Sequence, residues 1–210
     1  DYQGQASLIK NNETGAPLSG AVFKIVDQGG KTVQDNLISD DTGAVSASSL
    51  APGEYRFGET KAPAGYLLNS QELPFTIASS AAGQPNIVAV GELVNYQGAV
   101  QLQKTDQAGN PIAGAVFKVV DQNNQTIQEQ LTSDASGIVT AEHLAPGEYR
   151  FIETSAPDGY ILNSEAVTFT IDKNADGKPA VAAAGSLKNY QGSAQIRKVD
   201  TSGQPLAGAT

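Results

Sequence analysis

The chain has 210 residues, of which 40% are hydrophobic and 17% are charged, a composition that is typical of soluble globular domains and argues against disorder. Thirteen Lys and Arg residues against 22 Asp and Glu residues give a net charge of −9, so we expect neither a nucleic-acid partner nor a membrane partner. Cys is absent, which excludes disulfides, thiol nucleophiles and Cys zinc sites. Met is absent as well, and we therefore expect the chain to be an excerpt of a longer protein.

The sequence repeats itself after 94 residues. The segment LAPGEYRF at 50–57 returns at 144–151, and the two copies align without a gap, with about half of their positions identical. A third copy starts at 192, where GSAQIRKVD matches the opening of the second copy. A period of this length suits an independent small domain better than a solenoid unit, so we predict separate domains in tandem.

The register of the repeats sets the predicted domain boundaries. Residues 1–4 are predicted to be the end of a preceding repeat, and residues 5–95 and 96–189 two complete domains. Residues 190–210 are predicted to be the opening strand of a truncated third repeat. Within each repeat, short runs rich in Val, Ile, Phe and Thr alternate with turn signals such as ETGAP and DDTG, and no stretch has a convincing helical period. The predicted fold class is therefore all-β, with tandem immunoglobulin-like antiparallel β-sandwiches.

The opening strand of each repeat carries a lysine on its apolar face. Side chains alternate between the two faces of a strand, so Ala6, Leu8 and Lys10 share one face. The equivalent lysines of the second and third copies are Lys104 and Lys198, and they follow apolar residues in the same alternation. Three amines in this chain therefore point toward a predicted core.

The strand EYRFGET directs a carboxyl group inward in the same way. Tyr55, Phe57 and Glu59 share one face of this strand, and the second copy repeats the pattern with Glu153. Because the neighbouring aromatic residues belong in the core, we expect both glutamates to be buried beside them.

The closing strand adds an amide to each core. Leu93 shares a face with Asn95, and Asn189 occupies the equivalent position in the second copy. Asp1 stands at this position for the preceding copy. Each complete repeat thus directs one Lys, one Glu and one Asn into its core, whereas Asp1 and Lys198 lack the other members of their sets.

Two interpretations fit three such buried groups. One is a Lys–Glu salt bridge that the Asn caps, since an unpaired buried charge is costly. In the other, burial lowers the pKa of the amine and raises the pKa of the carboxyl, so that both become neutral. The Lys could then attack the Asn carboxamide carbon, while the Glu polarises the amide oxygen and relays protons to the departing ammonia. The product of that reaction is an amide bond between two side chains.

These segments resemble the B-type repeats of Gram-positive collagen adhesins (Cna) and the related domains of pilins. The resemblance covers the chain from end to end, and its most specific motifs are ETKAPAGY at 59–66 and ETSAPDGY at 153–160. In that family such a lysine and asparagine form an autocatalytic intramolecular isopeptide bond, assisted by such a glutamate. The resemblance implies two cross-links with one catalytic glutamate each, Lys10 to Asn95 with Glu59 and Lys104 to Asn189 with Glu153.

Two other candidate sites have simpler explanations. DKNADG at 172–177 has the spacing of the start of a calcium loop, but Ala183 stands where the bidentate Glu belongs and the first copy has no carboxylate there. We therefore expect an Asx-type turn. His143 is the only His, and Ser49 replaces it in the first copy, so we expect a solvated loop residue and no metal site.

The expected function is that of a structural stalk in a Gram-positive surface adhesin, extracellular and attached to the cell wall in the full-length protein. Because the cross-linking would act once on the chain itself, we expect no enzyme and no cofactor. The expected partners are neighbouring repeats of the same chain and a host surface protein bound through a head domain outside this chain. The chain itself is expected to be a monomer.

The alternative function is that of an adhesive module whose loops bind a host matrix protein. The turns at 28–31 and 122–125 differ between the two copies, so a shared binding site on these loops is unsupported. A pilus backbone subunit is disfavoured, because Lys24 and Lys118 lie in VFKIV and VFKVV and not in the Tyr-Pro-Lys sequence of polymerising pilins.

Overall fold

The computed structural model describes residues 3–79 and 87–208, and all regular secondary structure in those ranges is β-strand. The strands of the first repeat are β1 (Gly4–Asn12), β2 (Val22–Asp27), β3 (Thr32–Ile38), β4 (Ala44–Leu50), β5 (Gly53–Lys61), β6 (Leu68–Asn69), β7 (Glu72–Ile77) and β8 (Ile87–Asn95). Those of the second repeat are β9 (Gly98–Thr105), β10 (Val116–Asp121), β11 (Thr126–Thr132), β12 (Ile138–Leu144), β13 (Gly147–Ser155), β14 (Val167–Ile171), β15 (Asn174–Ala175) and β16 (Ala182–Lys188). In the same ranges, no helix could cross a membrane.

Each repeat is a sandwich of two sheets. In the first repeat a three-stranded sheet in the order β4-β1-β8 faces a four-stranded sheet in the order β3-β2-β5-β7. The second repeat has the same arrangement, β12-β9-β16 against β11-β10-β13-β14. The predicted all-β fold class with tandem sandwiches is confirmed.

The first and last strands of each repeat are parallel neighbours. β1 pairs with β4 in the antiparallel sense but with β8 in the parallel sense, and β9 pairs with β16 in the same way. The predicted sandwich was antiparallel throughout, and this pairing differs because the two strands are joined through the whole of the domain and not by a hairpin. The consequence is that both ends of a repeat lie side by side in one sheet.

Aromatic residues fill the space between the two sheets. Phe57 stacks on Phe75 at a centroid distance of 5.1 Å and meets Phe23 edge to face at 6.4 Å. The second repeat reproduces this group with Phe151 and Phe169 in a tilted arrangement at a centroid distance of 5.0 Å. These inward residues alternate with outward polar residues along their strands, which is the pattern that predicts the buried face.

Residues 190–208 continue beyond the second sandwich as an exposed segment without a regular strand. Within it a bridge joins Val199 to Pro205, in the same way that Thr105 is bridged to Pro111 in the second repeat, and Tyr190 at its start is bridged to Ile161. Ile196, which is predicted to face a core, is 94% exposed. A strand needs hydrogen-bonded neighbours, and no strand in the described part of the chain lies beside this segment.

Candidate cross-linking sites

In the first repeat, the three predicted site residues come from three strands and meet at one end of the sandwich. Lys10 lies in β1 and Asn95 ends the adjacent β8, while Glu59 reaches them from β5 in the facing sheet. Lys10 and Asn95 are 0% exposed and Glu59 is 8% exposed. The inward direction that strand alternation predicts is therefore the direction observed.

Backbone hydrogen bonds fix the position of Lys10. Its N–H donates to the carbonyl oxygen of Gly43 at 2.7 Å, and its register in the parallel pair sets it opposite Leu93. The side-chain Nζ donates to the carbonyl oxygen of Leu93 at 2.6 Å. This parallel register places the Lys10 amine beside β8, two residues before Asn95.

Glu59 and Asn95 are joined directly. The Asn95 Nδ2 group donates to Glu59 Oε2 at 2.9 Å and to the carbonyl oxygen of Leu67 at 2.6 Å. The backbone N–H of Asn69 donates to the same Glu59 oxygen at 2.8 Å. The carboxyl group is thus held between the amide that it faces and the segment around β6.

The second repeat has the same geometry. Lys104 Nζ donates to the carbonyl oxygen of Leu187 at 2.9 Å and lies 4.0 Å from Glu153 Oε1. Asn189 Nδ2 donates to Glu153 Oε2 at 2.9 Å. All three side chains are buried, so the arrangement does not depend on the sequence differences between the repeats.

Each site contains two buried oxygen atoms without a hydrogen-bond partner. In the first repeat they are Glu59 Oε1 and Asn95 Oδ1, and in the second they are Glu153 Oε1 and Asn189 Oδ1. Buried polar atoms are normally satisfied, so the same deficit at equivalent atoms in both repeats makes these two clusters the candidate functional sites. The sequence led us to expect the Glu to polarise the Asn oxygen. In the structure the Nδ2 group, and not the Oδ1 atom, faces the carboxyl group in both repeats.

Burial shifts the pKa values of the site toward neutral forms. It lowers the pKa of Lys10 from 10.5 to about 8, although the nearby Glu59 acts in the opposite direction. It raises the pKa of Glu59, against the hydrogen bonds from Asn95 and Asn69 and the charge of Lys10. In the second repeat, burial likewise lowers the pKa of Lys104. The surroundings of both lysines therefore increase the uncharged fraction of the amine.

Asn69 is a site residue that sequence reasoning missed. Besides its N–H bond to Glu59, its Nδ2 group donates to the carbonyl oxygen of Val94 at 2.8 Å, next to Asn95. Asn163 makes the equivalent pair of bonds in the second repeat, to Glu153 and Lys188. The available signal was the sequence LNS, which follows the glutamate box in both copies.

The two weaker sequence candidates have different surroundings from those predicted. Asn174 and Ala175, in the middle of DKNADG, form strand β15 beside β6 of the first repeat and not only a local turn. Local sequence could not show this, because the partner belongs to another repeat. His143 is exposed as predicted but lies in β12, with Nδ1 3.9 Å from Glu13 Oε1, so it is not a loop residue. Among the described residues, no group of three acidic, Cys or His residues could hold a metal ion.

Of the two unpaired equivalents, Lys198 lies apart from the buried sites. Lys198 is exposed, and its carbonyl oxygen accepts a 3.0 Å bond from the N–H of Leu206 within the terminal segment. Asp1 lies outside the described residues.

Comparison with curated proteins gives two partial matches to surface proteins. The chain is 28% identical over 109 residues to the trypsin-resistant surface T6 protein of Streptococcus pyogenes serotype M6, which covers 48% of this chain and 20% of that protein. It is 30% identical over 82 residues to a collagen adhesin of Staphylococcus aureus, which covers 36% of this chain and 7% of the adhesin. The chain therefore spans only a small part of the length of either relative.

Structural and family comparisons cover nearly the whole chain. The solved structure of the Bacillus anthracis TIE protein superposes with a TM-score of 0.56 at 26% identity, over 91% of this chain and 34% of that chain. Residues 4–90 and 98–183 each match the SpaA family, described as a prealbumin-like fold domain. Since these matches take in most of both repeats, the chain belongs to the SpaA family of prealbumin-like fold domains.

Proposed function

We propose that this chain is part of the stalk of a Gram-positive surface adhesin, in which each complete repeat locks itself with a Lys–Asn isopeptide bond. The observation that carries the proposal is the buried set of Lys, Glu and Asn, which recurs with the same hydrogen bonds in both repeats. A buried amine with a lowered pKa, an amide and a carboxyl group are the reactants and the proton carrier that this reaction needs.

The reaction in the first repeat balances without any external reagent. The lone pair of the neutral Lys10 Nζ forms a bond to Asn95 Cγ, and the bond from Cγ to Nδ2 breaks with its electron pair remaining on nitrogen. Nζ loses one proton and Nδ2 gains one, so the products are a secondary amide and ammonia. Glu59 carries the proton between the two nitrogen atoms and ends unchanged. Its hydrogen bond to Nδ2 supports this role, because it puts the carboxyl group beside the leaving nitrogen.

A permanent salt bridge explains the same residues less well. Burial lowers the pKa of Lys10 even with Glu59 nearby, and so opposes the charged form that a salt bridge requires. A capping Asn would also use its oxygen to accept a bond from the ammonium group, whereas Asn95 Oδ1 has no partner. These two features favour reaction over ion pairing.

The mechanical benefit follows from where the two linked residues lie. Tension on a repeat enters through β1 and leaves through β8, which are adjacent and parallel. Without a bond, the 84 residues between Lys10 and Asn95 could extend by roughly 280 Å at ~3.4 Å per residue. With the bond, force passes directly from Lys10 to Asn95 and the core carries no load. Closing this loop would also stabilise the fold by ~4–5 kcal/mol if the chain-entropy relation for disulfides applies.

The rest of the functional assignment follows from this chemistry. Each triad acts once on its own chain, so the protein is not an enzyme with turnover. Its partners are the neighbouring repeats and, through a separate head domain, a host surface protein. The two curated relatives are named as a surface protein and a collagen adhesin, which supports an extracellular location on a cell wall.

Peptide mapping tests the proposal directly. Trypsin does not cleave after a cross-linked lysine, and Asn95 and Lys104 lie in the same tryptic peptide, so digestion should give residues 1–24, 62–118 and 189–197 joined as one species. This species should weigh two ammonia molecules less than the sum of its three peptides. Recovery of residues 1–10, 62–104 and 189–197 as separate peptides with their full masses would contradict the proposal.

A further inference from the structure

The two repeats meet through a short strand of the first. β6 pairs in the parallel sense with β15 of the second repeat. The N–H of Leu68 donates to the carbonyl oxygen of Lys173 at 2.7 Å, and the N–H of Ser70 donates to that of Ala175 at 3.0 Å. The N–H of Asn69, the residue between them, points the other way and donates to Glu59 of its own repeat. One edge of this segment therefore belongs to the cross-linking site and the other to the next repeat.

Leu67 anchors this junction. Its side chain is 3% exposed and packs in the core cluster of the second repeat, to which Ala175 and Ala182 also contribute. The walls around it include Gly98 and Ile171, at the edge of the second sandwich. A leucine from one repeat thus completes the apolar core of the repeat that follows it.

The second repeat presents the same segment without a partner. Residues 161–164 have the sequence ILNS where residues 67–70 have LLNS. Ile161 donates from its N–H to Tyr190 at 2.9 Å and accepts from Asn189 at 2.7 Å, just as Leu67 does with Tyr96 and Asn95. Bonds within the second repeat therefore hold residues 161–164 in the same position that residues 67–70 have at the junction.

The outer edge of this segment is open. Ile161 is 56% exposed, in contrast to the buried Leu67, and Leu162 and Tyr190 beside it are also exposed. Within residues 87–208, the N–H groups of Leu162 and Ser164 have no hydrogen-bond partner, whereas their equivalents Leu68 and Ser70 have one each. The junction between the first two repeats consists of the same three groups, one apolar side chain and two backbone N–H donors, from Leu67, Leu68 and Ser70.

We propose that residues 161–164 are the docking edge for a following repeat of the same kind. Ile161 enters the core edge of that repeat, and the N–H groups of Leu162 and Ser164 pair with its segment equivalent to residues 173–175. The chain that leads into such a repeat starts at Gly192, which is the equivalent of Gly98 in the Leu67 pocket. The stalk would then grow by one repeated junction with a fixed orientation between neighbours.

This contact is suited to neighbours in one chain and not to separate molecules. One side chain and a two-residue strand bury far less than the ~1,200 Å² of even a small stable interface. Covalent connection supplies an effective concentration in the millimolar range, which makes such a weak contact sufficient. The isolated chain should therefore remain monomeric although its docking edge is exposed.

Amide hydrogen exchange of the 210-residue chain provides the first test. The amides of Leu68 and Ser70 should exchange slowly, and those of Leu162 and Ser164 should exchange roughly tenfold faster or more. Leu67→Ile makes residues 67–70 identical to the proposed edge, and it should keep Leu68 and Ser70 protected. Leu67→Asp should remove that protection while the mass still shows both cross-links. Loss of protection in Leu67→Ile would overturn the proposal, because the Ile edge would then be unable to dock.

A longer chain provides the second test. Residues 117–189 appended after Thr210 continue the third copy in register and give Lys198 a Glu and an Asn of its own. Slow exchange at Leu162 and Ser164 in this chain supports the docking edge, and Ile161→Asp should restore fast exchange. Fast exchange at Leu162 and Ser164 in a chain that has lost a third ammonia would refute the proposal. The third repeat would then have formed its cross-link without pairing with residues 161–164. If the third repeat does not form its cross-link, the amide exchange of Leu68 and Ser70 in Leu67→Ile decides whether the proposal stands.

Discussion

Lys104 Nζ lies 4.0 Å from Glu153 Oε1, and neither side chain has any solvent exposure. That distance is too long for a hydrogen bond, so the pair lacks the direct contact that would offset the cost of burying two charges. Glu153 Oε1 has no other partner, and Lys104 Nζ donates to a backbone carbonyl oxygen instead. The amine therefore contacts the strand that ends beside Asn189 more closely than it contacts the carboxyl group.

The intact mass of the purified chain should be lower than its sequence mass by two molecules of ammonia. Two complete triads are present, and each reaction releases one ammonia. Electrospray mass spectrometry of the denatured chain measures this directly. The full sequence mass would show that neither site reacts.

Glu59→Ala should leave the first repeat without its bond, so that the chain loses one ammonia and not two. No other described carboxyl group contacts Asn95, and the proton carrier would be absent. Loss of the ~4–5 kcal/mol from loop closure should lower the melting temperature of this repeat by roughly 20 °C or more.

Glu54→Ala is the matched control for this change, because Glu54 lies in the same strand but faces solvent. It should lose both ammonia molecules and melt close to the parent chain. A Glu59→Ala chain that still loses two ammonia molecules would show that Glu59 does not carry the proton.

Asn95→Ala should make the stability of the first repeat rise with pH above about 8. This variant cannot form the bond, but the burial and the Glu59 charge that set the pKa of Lys10 both remain. With a folded pKa of about 8 and an unfolded value of 10.5, the unfolded chain binds more protons between these two pH values. The free energy of unfolding should therefore increase over that window, by up to ~3 kcal/mol.

Urea unfolding between pH 7.5 and 10 measures this effect. Lys10→Met in the Asn95→Ala background removes the titrating group and should make the profile flat over the same range. At acidic pH the sign reverses, because the raised pKa of Glu59 makes the folded state bind the additional proton. A profile that stays flat above pH 8 with Lys10 present would contradict the lowered pKa.

Gly43→Ala should destabilise the first repeat and reduce the fraction of chains with its bond. Gly43 has a φ of +77°, and an added Cβ would overlap the carbonyl oxygen of Lys10, whose N–H is bonded to Gly43. Gly15→Ala is the control, since it has a similar φ of +82° and open space around its Cβ. Both variants carry the ~1–2 kcal/mol cost of a left-handed backbone, and Gly43→Ala should show an additional loss. Equal melting temperatures and equal bond formation in the two variants would rule out a role for Gly43 in placing Lys10.

Lys198 should remain a free amine, and the chain should run as a monomer on a denaturing gel. Lys198 is exposed and lies apart from both completed sites, whose own strands already fill them. A bond between Asp1 of one molecule and Lys198 of another would need one of those strands to be displaced. Such bonds would produce a ladder of multimers that survives boiling, and a ladder would refute this description of the chain ends.

Strand alternation is a local property, and it determined much of this protein from the sequence alone. The repeat period, the β-sandwich class and the inward direction of Lys10, Glu59 and Asn95 all follow from the order of residues along single strands. Comparison of the copies made these predictions stronger, because two repeats that differ at about half of their positions still have the same Lys, Glu and Asn at the three inward site positions.

Contacts between residues that are distant in the chain were decided only by the tertiary structure. The parallel register that sets Lys10 opposite Leu93 depends on how the last strand returns beside the first. The bond from Asn69 to Glu59 and the insertion of Leu67 into the next repeat depend on which strands the folded sheets bring together. Strand alternation fixes which side of a strand a residue faces, but not which strand lies beside it, and for that reason the junction between the repeats could not be predicted.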